Sequence, residues 1–108
     1  MNDPVDVRTA HDLHESGQVV LLDVREPEEW AAGHAPGALH VPLGELDPDR
    51  IGGGEVVAVC RSGNRSGRAT EALAQAGVSV RNMTGGMQAW AEAGLPMVAP
   101  DGGAGTVA

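Results

Sequence analysis

The sequence predicts a small α/β domain: a mainly parallel central sheet with helices on both faces. Three observations carry that reading. Two apolar, β-branched runs, Val19–Val24 and Val56–Cys60, lack the polar alternation of a half-solvated strand, which marks strands buried on both sides. Stretches with helical spacing alternate with the strand-like runs from end to end, as in sheets built from strand–helix–strand units. At 108 residues, the chain makes one domain, able to bury roughly two-thirds of its unfolded surface in a single core.

Composition narrows the function classes. With two Trp and no Phe or Tyr, the core is left to Val, Leu, Ala and Met. The 16 Gly and 7 Pro fall between periodic segments and read as turns rather than disorder. A formal charge of −8 argues against nucleic acid or an anionic membrane as partner. No apolar run is long enough to span a bilayer, and no secretory signal opens the chain. One cysteine forms no internal disulfide, so a reducing, cytoplasmic location is expected. All seven basic residues are arginine. The missing lysine excludes a Walker-type phosphate loop and Schiff-base chemistry, since both need its amine.

The elements follow in order. Met1–Pro4 reads as a loose end and Val5–Val7 as a short edge strand. Thr9-Ala-His-Asp12 has the spacing of a helix-capping box, with a stop near Gly17. His11 and His14 lie one turn apart on that helix, but no third ligand stands nearby, so a solvated face is preferred to a metal site. Val19–Val24 is the first buried strand. Pro27 then suits the first turn of a short helix through Trp30, where Glu28 and Glu29 complement the helix dipole. Asp23 and Arg25 are expected to pair and fix the strand end. Gly33–Ala38 is turn-rich; its His34 is a general-base candidate, though a histidine in such a turn more often binds loop backbone. Leu39–Val41 is a short strand stopped by Pro42. Leu43–Gly54 is a surface connection with solvated Glu45, Asp47 and Asp49. Val56–Cys60 is the central strand, followed by a turn and a helix from about Ser66, through Ala69, Leu73 and Ala76. Gly77 is its C-cap signal and Val78–Met83 a further strand. Thr84-Gly85-Gly86 leads into a last helix carrying Met87, Trp90 and Ala91, with Trp90 expected in the core. Pro100–Ala108 is expected to be a flexible Gly-rich tail beyond a domain of residues 1–99.

Cys60 is the chemical centre. It stands where a strand hands over to a helix N-terminus, whose unpaired N–H groups and dipole favour an anion. Arg61, Arg65 and Arg68 add formal charge beside it. A thiol so placed is expected to ionise readily, below the ~8.5 of a free cysteine. In an open parallel sheet the ligand crevice lies at the carboxyl ends of the strands, which is where Cys60 falls.

These residues, with three further segments, resemble a single rhodanese (sulfurtransferase) domain. The matching segments are Leu22-Asp-Val-Arg-Glu26, Trp30-x-x-Gly-His34-x-x-Gly-Ala38-x-x-Val41-Pro42, the loop Cys60-Arg-Ser-Gly-Asn-Arg65, and Gly85-Gly86-x-x-x-Trp90. They run in family order across about Val5 to Met97. Ala35 replaces a larger aliphatic residue and Trp30 the more usual Phe or Tyr, both departures of packing. The resemblance implies a Cys60 thiolate that takes the outer sulfur of a small anionic donor such as thiosulfate and holds it as a persulfide. A thiophilic acceptor, cyanide or a cellular or protein thiol, then removes it. Arg61, Ser62, Gly63, Asn64 and Arg65 are the implied donor-binding loop, their N–H groups cradling the sulfur and the two arginines meeting the donor's oxygens. Neither a metal nor a cofactor is implied.

Cysteine phosphatases offer the nearest alternative chemistry. They place five residues between Cys and Arg so that the guanidinium grips a phosphoryl group. Here only four separate Cys60 from Arg65, and Val59 stands where phosphatases commonly have His. A non-catalytic regulatory module would have lost the cysteine. A sulfur carrier loaded by a protein donor stays open, differing in partner rather than chemistry.

Overall fold

In a computed structural model the chain is described over residues 3–51 and 54–107. The elements are α1 (Val7–Glu15), β1 (Val19–Asp23), α2 (Pro27–Ala32), β2 (Leu39–His40), β3 (Glu55–Val59), α3 (Asn64–Gln75), β4 (Val80–Asn82) and α4 (Gly86–Glu92). Two single-turn 3₁₀ helices, Leu43–Glu45 and Pro48–Arg50, bridge β2 and β3. The strands form one parallel sheet in the order β2-β1-β3-β4.

The two apolar runs become the two central strands, in register from Val19 opposite Glu55 to Asp23 opposite Val59. Successive side chains of a strand point to opposite faces, so each run feeds two cores. Leu21, Val57 and Val59 pack with Val7 and Ala10 of α1, Met87 and Trp90 of α4, and Met83. Leu22, Val56, Ala58 and Cys60 pack on the other face with Ala69 and Leu73 of α3, Val41 and Ile51. This is the two-faced α/β layering that the unalternated runs imply. Cys60 thus lies on the α3 side. Trp90 is 1% exposed, a core residue whose Nε1–H donates to the Pro96 carbonyl at 2.8 Å, so its polar edge is satisfied without leaving the core.

Several boundaries move from their expected positions. Helix α1 begins at Val7, two residues before Thr9, because Asp6 is the N-cap: its Oδ1 accepts the Thr9 N–H at 2.8 Å. An aspartate caps at least as well as a threonine, and Thr9 becomes the third helical residue. The expected edge strand shrinks accordingly to Val5, which bridges Met83 in parallel. Helix α3 starts at Asn64 rather than near Ser66, so Arg65 and Ser66 belong to its first turn. The strands expected at Leu39–Val41 and Val78–Met83 shorten to Leu39–His40 and Val80–Asn82.

Residues 100–107, expected as a free tail, turn back on the domain. Ala104 bridges Val98, which itself bridges His34, and Thr106 N–H donates to the Ala32 carbonyl at 2.9 Å. The expectations for Met1, Asn2, Gly52, Gly53 and Ala108 fall outside the described residues. Among the described residues no helix is long and apolar enough to cross a membrane.

Candidate active site

β1 and β3 lie side by side, yet β1 continues to β2 on one side while β3 continues to β4 on the other. Their carboxyl ends open between diverging connections, which is where a parallel sheet forms its crevice. Cys60 follows β3 directly, and Asp23 ends β1 beside Val59.

The loop after Cys60 is shaped so that carbonyls point away from the thiol and N–H groups toward it. Three groups hold the carbonyls. The Cys60 carbonyl accepts the Met87 N–H at 2.7 Å, and the Arg61 carbonyl accepts the Gln88 N–H at 3.0 Å, both from the first turn of α4. The Asn82 side-chain Nδ2 donates to the Gly63 carbonyl at 3.2 Å. Two glycines make this possible. Gly63 adopts φ +105° at the N-cap of α3, a conformation costly for any residue with a Cβ. At Gly86, φ is +62° and a Cβ would stand 2.5 Å from the Arg61 and Cys60 carbonyl oxygens, so α4 approaches the loop only as glycine.

The N–H groups then converge on sulfur. The Gly63 N–H reaches Cys60 Sγ at 3.0 Å, and the Ser66 hydroxyl lies 3.3 Å from it. Burial pushes the Cys60 thiol up. The Ser66 hydroxyl and the backbone N–H groups of Ser66, Gly63 and Ser62 outweigh that penalty, and the thiol sits below its ordinary value. Stabilisation by hydrogen bonds to the charged form is the mechanism. The backbone N–H groups expected at this helix N-terminus are among the causes, and the flanking arginines are secondary to them.

The predicted loop residues divide by position. Arg61 and Ser62 are exposed, Gly63 is half-buried, and Asn64 is exposed at the start of α3. Arg65 is turned away from a purely substrate-facing role: its two terminal nitrogens grip Glu29 of α2 at 2.5 and 2.8 Å. Glu29 is held down to about 2, chiefly by that Arg65 contact. A guanidinium in a bidentate pair keeps its charge but spends its two best donors. Arg68 is exposed on α3.

Beneath the crevice Arg25 and Asp23 form the expected pair. Both are fully buried; Arg25 Nε and Nη2 reach the Asp23 carboxylate at 2.8–3.0 Å, and Nη2 also donates to the Gly33 carbonyl at 2.7 Å. His34 takes the backbone role: its Nδ1 donates to the Trp30 carbonyl at 3.0 Å, and its ring stacks on Trp30 at 3.6 Å. His40 stacks on the same indole, and its Nε2 donates to the Arg25 carbonyl at 2.8 Å. His11 and His14 part company, His11 meeting Trp90 and Glu15, His14 the Pro36 carbonyl. Among the described residues no group of three or more His, Cys, Asp or Glu is placed to hold a metal.

Two residues of the site escaped the sequence reading, Ser66 and Asn82. Ser66 was legible in principle, as a hydroxyl in the first turn of the helix that Cys60 precedes. Asn82 was not, because only the β3–β4 pairing, with Ala58 opposite Asn82, brings it under the loop.

Comparison with known proteins agrees with this architecture. The model of the Rhodanese-like domain matches residues 6–93. A sulfurtransferase of Allochromatium vinosum is 43% identical over 98 residues, covering 83% of this chain and 88% of its own. Thiosulfate sulfurtransferase 16, chloroplastic, of Arabidopsis thaliana is 39% identical over 85% of this chain and 89% of its own. An uncharacterized protein of Synechocystis sp. is 40% identical over 84% of this chain, which spans about half (53%) of that relative's length. Among solved structures, a rhodanese-related protein of Thermoplasma volcanium superposes with a TM-score of 0.78 at 29% identity, covering 90% of this chain and 98% of its own. With the match spanning most of the domain and the cysteine loop seated where the sheet opens, the chain belongs to the rhodanese-like domain family, whose members similar to it include sulfurtransferases.

Proposed function

We propose that the chain is a sulfurtransferase that carries a sulfane sulfur as a persulfide on Cys60. The observation that supports this most is the cradle itself. A buried thiol lowered by hydrogen-bond donors converging on Sγ is a nucleophile with a site for negative charge prepared around it.

The reaction runs in two halves. The Cys60 thiolate attacks the outer sulfur of thiosulfate; the new S–S bond forms as the old one breaks, and sulfite leaves with the electron pair. The persulfide places the transferred sulfur about 2 Å beyond Sγ, outward from a residue that is itself fully buried. An acceptor, cyanide or a thiolate, then attacks that outer sulfur, and Cys60 leaves as the thiolate. Covalent exchange of this kind gives ping-pong kinetics. Arg61, Ser62, Gly63 and Asn64 bind the anionic donor, with the α3 N-terminus contributing its N–H groups and dipole, while Arg65 adds its charge from within the Glu29 pair. Cys60 must return reduced after each turnover, which suits a reducing, cytoplasm-like compartment.

Intact-mass measurement tests the proposal. Thiosulfate should add one sulfur atom to the protein and cyanide should remove it, while Cys60→Ser shows neither change. A serine variant that still turns over thiosulfate overturns the assignment. Loading from a protein persulfide donor but not from thiosulfate would identify a dedicated sulfur carrier, the same chemistry with a different partner.

A further inference from the structure

The Ser66 hydroxyl has two neighbours and one proton. Its Oγ lies 3.3 Å from Cys60 Sγ and 2.5 Å from Asn82 Oδ1. The Asn82 amide cannot be turned round, because its Nδ2 donates to the Gly63 carbonyl at 3.2 Å; an oxygen in that place would face another oxygen with no proton between them. Oδ1 therefore only accepts, and Ser66 can donate to it or to sulfur, not to both. Resting on the reading of Cys60 as the sulfur carrier, we propose that Asn82 is a positioning residue that competes with Cys60 for the Ser66 proton. The hydroxyl turns to Sγ when the sulfur is charged and to Asn82 when it is not.

The states follow from counting hydrogens. In the thiol, Sγ–H donates to Ser66 Oγ and the Ser66 proton goes to Asn82 Oδ1. On ionisation the thiol proton leaves to solvent, the Ser66 O–H turns to Sγ, and Oδ1 loses its donor. The turn recurs in each half-reaction. When the thiolate takes a sulfur, Sγ becomes a neutral S–S atom, the charge ends on the outer sulfur, and the hydroxyl returns to Asn82. When the acceptor removes that sulfur, Sγ recovers the electron pair and the hydroxyl swings back. The rotor is confined: Ser66 is fully buried, and the Thr70 hydroxyl ties down its carbonyl at 2.8 Å. By drawing the proton away, Asn82 limits how far the thiolate is stabilised. Too low a pKa makes a thiolate a good leaving group but a poor nucleophile, so this competition balances loading against unloading.

The charged groups on the elements that meet at Cys60 are Arg61 in its loop, the Arg65–Glu29 pair of α3 and α2, Arg68 of α3, and the Asp23–Arg25 pair at the end of β1. All are common to the variants below and cancel in the comparison. The thiolate absorbance of Cys60, the only thiol, is followed against pH in the resting protein. Ser66→Ala should raise the midpoint by about one pH unit, the effect of one lost charge-assisted hydrogen bond. Asn82→Ala also frees the Gly63 carbonyl, an effect that remains in a Ser66→Ala background; with Ser66 present, Asn82→Ala should leave the midpoint up to about one unit lower than that background effect alone would place it. Asn82→Asp, which keeps the acceptor and adds charge, should raise it. In single-turnover assays Asn82→Ala should load more slowly from thiosulfate and unload faster to cyanide. If Asn82 serves only to hold the Gly63 carbonyl, Asn82→Ala shifts the midpoint by the same amount with and without Ser66, and the proposal is overturned. The titration needs no sulfur transfer, so a chain that titrates as expected yet never loads sulfur would refute the sulfur-carrier reading and leave the competition for the proton intact.

Discussion

Two arginine–carboxylate pairs stand at the carboxyl end of the sheet, and they differ in almost everything but chemistry. Asp23–Arg25 is local in sequence and sealed: the two side chains are 1% and 0% exposed. Glu29–Arg65 joins residues 36 apart, and its side chains keep 18% and 31% of their exposure. The first ties the end of β1 to the Gly33 turn through the Gly33 carbonyl. The second ties α2 to the first turn of α3, beside the thiol. Burial decides what each can do. A sealed pair cannot open without stranding a charge, whereas a half-exposed pair can exchange one partner for a ligand or for water.

The sealed pair should give the largest response. Asp23→Ala leaves Arg25 buried and uncompensated, and is expected to cost about 3–5 kcal/mol. At roughly 4–8 °C per kcal/mol for a domain this size, the melting temperature should fall by more than about 10 °C. The pair is not fully satisfied, because Arg25 Nη1 is buried without a hydrogen-bond partner. Replacing both residues together, Asp23→Leu with Arg25→Met, should therefore be close to neutral or stabilising. Denaturant unfolding of the single and double variants measures this. A single-variant loss under about 1 kcal/mol would make the two pairs alike and remove the contrast.

The same contrast explains which parts of the molecule were legible in the sequence. Asp23 and Arg25 lie two residues apart at the end of an obvious strand, so their pairing could be read directly. Glu29 looked like a helix-dipole complement, because nothing local to Pro27–Trp30 reveals a partner 36 residues on. Cys60 was legible because strand, turn and helix signals all surround it within one short stretch. The helix N-terminus that favours its anion was legible with it, whereas the groups that turn the loop carbonyls outward were not, since Asn82 and the first turn of α4 lie 22 to 28 residues beyond Cys60. Period-2 and period-3.6 patterns report which face a residue occupies. They say nothing about which residue of another element stands opposite. Boundaries failed where two caps competed, as Asp6 did with Thr9.

Glu29→Gln should sharpen the comparison from the other side. The neutral amide releases Arg65, whose freed donors lie next to the thiol. A charge-assisted contact is worth about 1.5–3 kcal/mol, so the KM for thiosulfate should fall by roughly tenfold, while the rate with an uncharged persulfide donor changes little. Steady-state kinetics on the two donors distinguish this from a general loosening of the site. A KM that rises for both would mean that the pair holds Arg65 in its working position and that Glu29 belongs to the donor-binding machinery.

The smallest effect is the stability that the half-exposed pair contributes, and its signature is the pH at which it disappears. Glu29 is held down to about 2 from the ordinary carboxylate value of 4.5, so the folded chain binds its proton more weakly than the unfolded chain does. A group depressed on folding stabilises the fold at every pH above its unfolded value, and the contribution is lost as pH falls through its folded value. Wild type should therefore exceed Glu29→Gln by a constant margin above about pH 4.5. The margin should shrink progressively between there and about pH 2. Solvent screening of an exposed pair keeps it near 1 kcal/mol, several times smaller than the Asp23→Ala loss. Unfolding free energies of the two proteins across that range supply the check. A margin that stays constant down to pH 2 would show that Glu29 stabilises the chain by packing, and that its charge, unlike that of Asp23, has no part in holding the fold.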